Sequence, residues 1–107
     1  MKRYGKVIKI KPEKLAEYEE LHANAWDGVL KKISECNIRN FSIHFGGGYL
    51  FSYYEYIGSD YEADMEKMAQ DATTQKWWQL TDACQEKVDW ASDGEWWSDL
   101  REVFFNP

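Results

Sequence analysis

Three consecutive glycines at positions 46–48 separate two runs of residues that have the composition of β-strands. The run before them, 37–45, alternates apolar and polar side chains, and the run after them, 49–57, is rich in tyrosine and phenylalanine. A short glycine connection between two such runs is typical of a β-hairpin. Any fold for this chain must therefore contain an antiparallel strand pair near its centre. The apolar side chains predicted to share one face of the first strand are Phe41, Ile43 and Phe45.

The segment before the hairpin predicts a strand followed by a helix. Residues 3–10 alternate loosely between apolar and polar side chains, as a half-buried strand does. Pro12 suits the first turn of a helix, and apolar residues then recur at helical spacing with glutamate and lysine between them. The pattern predicts one helix over residues 12–35.

The segment after the hairpin predicts helical structure and a closing strand. The sequence Ser-Asp-Tyr-Glu at 59–62 fits a capping box that opens a second helix. Thr73 or Thr74 is expected to cap a further helical turn or two, which contains residues 75–84. Residues 100–105 predict the last strand.

The predicted order of elements is β-α-β-β-α-β within residues 1–107, a length that suits a single domain. Short connections and crossover rules favour a ferredoxin-like α+β fold, with an antiparallel sheet and both helices on one face. The other face would then be open, yet residues 49–57 are apolar or aromatic on both faces. We therefore expect a second copy of the chain to cover it, in a homodimer of the dimeric α/β-barrel type.

The charge of the chain argues against several classes of partner. A net charge of −6 disfavours nucleic acid and anionic membrane surfaces. No stretch approaches the ~20 apolar residues of a membrane helix, and no secretion signal is recognisable, so a cytoplasmic location is expected. Cys36 and Cys84 are expected to be free thiols. The two histidines lack the spacing of metal ligands, so no metal site is expected.

Aromatic residues are abundant, with 6 Trp, 7 Tyr and 5 Phe. Some of these rings are expected to line a pocket or a subunit contact, because one small core rarely houses so many. Tyr18, His22 and Trp26 are four residues apart in the first predicted helix, which places a phenol, an imidazole and an indole in one stripe. Imidazole exchanges a proton near neutral pH. The stripe therefore indicates a site for a small polar molecule with an apolar face, although a packed helix histidine is the alternative.

Two adjacent tryptophans, Trp77 and Trp78, form the second candidate. Neighbouring residues on a helix point about 100° apart, so one indole is expected in the core and the other toward a ligand or partner. The Trp96–Trp97 pair raises the same question. His44 falls on the polar side of its strand and is expected to be structural or exposed.

Four segments resemble the L-rhamnose mutarotase family. They are EYEELHANAW around Tyr18 and His22, Asn-x-Ser-Ile at Asn40, QKWWQLTD around Trp77 and Trp78, and the closing LREVFFNP. Together they span nearly the full chain, in order and at close to the spacing of the family.

The resemblance implies a cofactor-free, cytoplasmic, homodimeric isomerase that interconverts the α and β anomers of a 6-deoxy-hexose, in first place L-rhamnose. It also implies His22 as the proton donor, and Tyr18, Trp77 and Trp78 as sugar-binding residues. Phe41 departs from the family pattern, since similar proteins often carry a sugar-contacting tyrosine at the start of the second strand. A lost hydroxyl can change sugar preference, so L-fucose is an alternative substrate.

Mutarotation requires one proton to leave the anomeric hydroxyl and another to reach the ring oxygen. His22 is expected to protonate the ring oxygen as the pyranose opens, while Tyr18, a carboxylate and a water are all candidates for the base. Two other functions fit a dimeric protein of this fold. One is a haem-binding or monooxygenase-like protein in which the helix histidine ligates iron, and the other is a non-catalytic module whose aromatic residues form an interface.

Overall fold

The computed structural model describes residues 1–107, which form a curled antiparallel sheet with helices packed on one face. The spatial order of the strands is β2-β3-β1-β4, and β5 also pairs with β1. The short strands β4 and β5 together occupy the position of the fourth ferredoxin-like strand, which confirms the ferredoxin-like α+β fold. The strands are β1 Lys2–Ile10, β2 Ile38–Gly46, β3 Tyr49–Tyr56, β4 Gln85–Glu86 and β5 Ser98–Leu100.

The predicted last strand at 100–105 is wrong in its position. The strand that pairs with β1 is β5, Ser98–Leu100, and residues 101–107 form no regular element. Side chains rather than ladder bonds tie this end to β1, because Arg3 Nε donates to Glu102 at 2.8 Å and its guanidinium stacks on Phe105.

The helices are α1 Leu15–Ala23, α2 Asp27–Glu35, α3 Tyr61–Ala69 and α4 Ala72–Asp82, with a 3₁₀ turn at Pro12–Lys14. The single helix predicted over 12–35 is therefore wrong, because it breaks after Ala23. The Asn24 side-chain amide donates to the main-chain carbonyl of Glu20 at 3.2 Å, and Asn24 leaves the helical conformation. Trp26 is extended and precedes the first turn of α2.

The starts of α3 and α4 also differ from the predicted caps. Asp60, not Ser59, caps α3 by accepting a hydrogen bond from the backbone N–H of Ala63. Asp71 caps α4 by accepting from both the backbone N–H and the hydroxyl of Thr74, at 3.0 and 2.8 Å. Asp60 lies one residue after the expected Ser59, and Asp71 lies before the expected Thr73 or Thr74. In both cases an aspartate supplies the carboxylate that satisfies the first free N–H groups.

The hairpin of β2 and β3 is confirmed, and it contains a β-bulge. Asn40 and Phe41 together oppose Tyr54, because the register shifts between Arg39 and Ser42. Asn40 takes a left-handed backbone conformation with φ of 51°, which asparagine tolerates better than most residues. The bulge places Phe41 against the ring of Tyr54, with centroids 5.5 Å apart.

The core lies between the helices and the face of the sheet that they cover, and it consists of two clusters. The opposite face of the sheet carries no helix, and its exposed apolar residues include Phe51 and Leu100. None of the helices has the length and apolar character needed to cross a bilayer. The first cluster contains Ile8, Ile10, Tyr18, Leu50 and Cys84, and the second contains Cys36, Ile38, Tyr54, Tyr56 and Met68.

Candidate functional site

Tyr18 and His22 lie one turn apart on α1 and stack on each other. Their ring centroids are 4.2 Å apart with the planes tilted by 32°. Tyr18 is buried in the first core cluster, while His22 is only half-buried. The imidazole therefore lies between the core and the surface, with the phenol on its inner side.

Trp77 on α4 brings His22 and Trp26 together. The ring of Trp77 lies 5.2 Å from that of His22 and 5.3 Å from that of Trp26, and both contacts are edge-on. Trp26 thus joins the other rings even though it is not on α1, because the chain turns back at Asn24. We call Tyr18, His22, Trp26 and Trp77 the aromatic cluster.

The two neighbouring tryptophans of α4 have different environments, as their spacing predicted. Trp77 is 6% exposed and contributes to the interior, whereas Trp78 is 38% exposed. The second indole is therefore available to a ligand or to another chain, and the first is a wall behind His22.

The hydrogen bond of His22 fixes which of its nitrogens can react. Nδ1 of His22 lies 2.8 Å from the backbone carbonyl oxygen of Tyr18. A carbonyl oxygen only accepts, so Nδ1 carries a proton and donates it. Nε2 is then the nitrogen that can take up or release a proton from a bound molecule.

The hydroxyl of Tyr18 lies at the inner end of the cluster. Gln85 of β4 donates a hydrogen bond to it at 3.1 Å from its side-chain Nε2. Burial raises the pKa of Tyr18 to about 12, because an ionised phenolate is poorly solvated there. Tyr18 therefore stays protonated near neutral pH and can donate a hydrogen bond.

Gln85 and Trp96 belong to this site, although the sequence did not point to Gln85. The indole Nε1 of Trp96 donates to Oε1 of Gln85 at 3.0 Å. Partial burial raises the pKa of the Asp82 carboxyl at the end of α4. Only the unusual tryptophan pair at 96–97 gave a sequence signal for this part of the site.

The surface beside the cluster is formed by β2. Ile43 packs against the core cluster that contains Tyr18, and the register places Phe45 on the same side of the strand. Phe45 is exposed, and so is Phe41, which leaves apolar surface uncovered beside the helices. Two surface clefts, of about 360 and 450 Å³, lie elsewhere and contain none of the predicted site residues.

His44 lies outside this site. It pairs with Phe51 on the face of the sheet that carries no helix, and its Nε2 is 3.2 Å from the hydroxyl of Ser42. It is exposed, in agreement with the prediction of a surface residue. No group of three or more His, Cys, Asp or Glu side chains is arranged to hold a metal ion.

Comparison with known proteins gives this arrangement a family. A family model described as L-rhamnose mutarotase matches residues 3–105. The L-rhamnose mutarotase of Oceanobacillus iheyensis is 30% identical over 104 residues, which cover 97% of each chain. The chain belongs to the L-rhamnose mutarotase family. Members of this family are isomerases that interconvert anomers at the anomeric carbon of a sugar.

Solved structures agree with this assignment at the level of the fold. The crystal structure of an L-rhamnose mutarotase from Formosa agariphila has a TM-score of 0.77 and 17% identity, and both chains are covered completely. Tetracenomycin F2 cyclase from Streptomyces glaucescens, a type-II polyketide cyclase, has a TM-score of 0.71 and 11% identity over the same full coverage. The L-rhamnose mutarotase fold is thus shared with a cyclase of the dimeric α/β-barrel fold.

Proposed function

We propose that this chain catalyses the interconversion of the α and β anomers of L-rhamnose. Membership of the mutarotase family supports this reaction, and one contact in the structure supports His22 as its acid. That contact is the bond from Nδ1 of His22 to the carbonyl of Tyr18, which leaves Nε2 free beside Trp77.

The reaction opens the pyranose ring and closes it on the other face. Protonated Nε2 of His22 donates to the ring oxygen while a base removes the proton of the anomeric hydroxyl, and the bond between the anomeric carbon and the ring oxygen breaks. The aldehyde rotates about its bond to C2, the ring oxygen attacks its other face, and both protons return. Positioned acid–base catalysis of this kind contributes ~10²–10⁴-fold.

Aromatic residues supply the binding surface in this proposal. Trp77 and Trp78 pack on the C–H face and methyl group of the sugar, since indole rings match such apolar faces. Tyr18 donates a hydrogen bond from its hydroxyl, because its raised pKa keeps the proton on the oxygen. Phe41 offers a ring without a hydroxyl on the neighbouring strand.

The active form is proposed to be a cytoplasmic homodimer, in which residues 1–107 form a single domain. The helix-free face of the sheet exposes Phe51 and Leu100, at 41% and 43%, and a second copy would bury them. The free, buried state of Cys36 and Cys84 fits a reducing compartment. Sedimentation at micromolar concentration tests the dimer, and a sedimenting monomer would contradict it.

Saturation-transfer NMR tests the reaction directly. One anomeric proton of L-rhamnose is saturated, and transfer to the other anomer is measured with and without the protein. We expect accelerated exchange for L-rhamnose, with L-fucose measured in parallel because Phe41 lacks a hydroxyl. No acceleration with either 6-deoxy-hexose would contradict the proposal.

A further inference from the structure

We propose that Gln85 and Trp96 are positioning residues which hold Tyr18 as a hydrogen-bond donor toward the bound sugar. The inference rests on the proposed function, because it concerns how Tyr18 meets the substrate. Neither residue needs to touch the sugar. Their effect passes through the direction of two hydrogen bonds, from Trp96 to Gln85 and from Gln85 to Tyr18.

The indole of Trp96 determines how the Gln85 amide is oriented. An indole N–H can only donate, so the atom of Gln85 that lies 3.0 Å away must be its carbonyl oxygen. The amide nitrogen of Gln85 is then the atom that faces Tyr18, at 3.1 Å. The reversed amide would place two donors against each other at Trp96.

This orientation leaves the proton of Tyr18 free for a ligand. The phenolic oxygen of Tyr18 accepts from Gln85, and no acceptor for its own hydrogen occurs among the hydrogen bonds of the chain. Tyr18 is 4% exposed, so bulk water is a poor alternative acceptor. A sugar oxygen at the aromatic cluster meets a hydroxyl that has only its donor function left.

The raised pKa of Tyr18 separates its role from that of His22. Burial raises the pKa of Tyr18 to about 12, so the phenol keeps its proton at neutral pH. Tyr18 therefore orients the sugar and does not act as the general base, which leaves proton exchange with the ring oxygen to Nε2 of His22.

Gln85 is well placed for a positioning role because its surroundings are rigid. It is 3% exposed and lies on β4, where its backbone pairs with Ile10. It follows directly after Cys84, a buried member of the first core cluster. The side chain therefore has little freedom to turn, and both ends of its amide are hydrogen-bonded.

The substitution Gln85→Glu reverses the direction of the hydrogen bond between position 85 and the hydroxyl of Tyr18 without removing it. The introduced carboxylate accepts from Trp96 as before, but it also accepts from Tyr18, whose hydroxyl then turns away from the sugar. We expect kcat/KM for anomer exchange to fall by about tenfold at pH 8, the loss of one hydrogen bond to the substrate. The activity should recover as the pH falls, because a protonated carboxyl donates to Tyr18 as the amide does.

The ratio of variant to wild-type kcat/KM between pH 4.5 and 8, after subtraction of spontaneous exchange, is the decisive readout. The other ionisable side chains near Gln85 belong to Glu17, Tyr18, His22, Asp82 and Cys84. They are present in both proteins, so they cancel in this ratio. Gln79→Glu makes the same charge change at an exposed position of α4 and should follow the wild type. A pH-independent ratio for Gln85→Glu would overturn the inference.

Two further variants cover the case in which Gln85→Glu does not fold. Gln85→Met removes both hydrogen bonds while it keeps a side chain of similar length. Its kcat/KM should be lower than that of the wild type at every pH, with no recovery in acid. Trp96→Phe frees the amide to flip, and it should raise KM while thermal stability stays close to wild type. Wild-type kcat/KM in either variant would refute the inference. Inactivity of the wild-type protein would instead refute the proposed function.

Discussion

Trp77 should contribute far more to stability than its neighbour Trp78, although the two residues are adjacent and identical. Trp77 is 6% exposed and makes edge contacts with His22 and Trp26. Each aromatic pair is worth about 0.5–1.5 kcal/mol beyond burial, so the Trp77→Leu substitution loses about 1–3 kcal/mol from the two pairs. The cavity left by the missing ring adds about 1 kcal/mol or more. We expect a total loss of about 3 kcal/mol in the free energy of unfolding.

Urea unfolding followed by far-UV circular dichroism measures this difference. With a slope of about 1.5 kcal/mol per molar, Trp77→Leu should lower the midpoint by about 2 M. Trp78→Leu is the matched control, and it should change the free energy by less than about 1 kcal/mol because its indole is 38% exposed. Equal losses in the two variants would refute the assignment of Trp77 to the interior.

Two more predictions follow from buried contacts. Because burial raises the pKa of Tyr18 from 10.0 to about 12, its protonated form adds stability that is complete below pH 10 and lost as the pH rises toward 12. As the pH rises past 10, the free energy of unfolding of Tyr18→Phe should therefore fall by about 3 kcal/mol less than that of the wild type. Urea unfolding at several alkaline pH values measures this, and the same fall in both proteins would contradict it. Gly58→Ala should lower the melting temperature by the equivalent of about 1–3 kcal/mol, since its Cβ would lie 2.5 Å from Cζ of Tyr56. Gly46→Ala, with nothing within 4 Å, should melt like the wild type, and equal melting of both variants would count against the packing at Gly58.

The sheet could be predicted from the sequence because its signals are local. The alternation in 37–45 and the glycines at 46–48 specify a hairpin, and the element order then leaves few ways to close the sheet. The break in the first helix could not be predicted from periodicity, since apolar residues continue at helical spacing on both sides of Asn24. It depends on a side-chain bond from Asn24 to Glu20 that competes with the helix.

The candidate site was predicted in part for the same reason. Tyr18 and His22 are one helical turn apart, so their contact follows from spacing alone. Trp77 reaches His22 from another helix, which only tertiary packing specifies. Gln85 was missed because a single glutamine carries no pattern. Its partner Tyr18 is distant in sequence, and its partner Trp96 lies beyond an irregular segment.

The central claim is that Nε2 of His22 exchanges a proton with the ring oxygen of L-rhamnose. Saturation-transfer NMR of the two anomers, with wild type and His22→Asn at equal concentration, tests it most directly. We expect His22→Asn to lose about 100-fold or more of the added exchange rate. The variant should remain folded, with a urea midpoint lowered by no more than about 2 M, since it loses the ring contacts with Tyr18 and Trp77. A folded His22→Asn protein that exchanges the anomers as fast as the wild type would contradict the account.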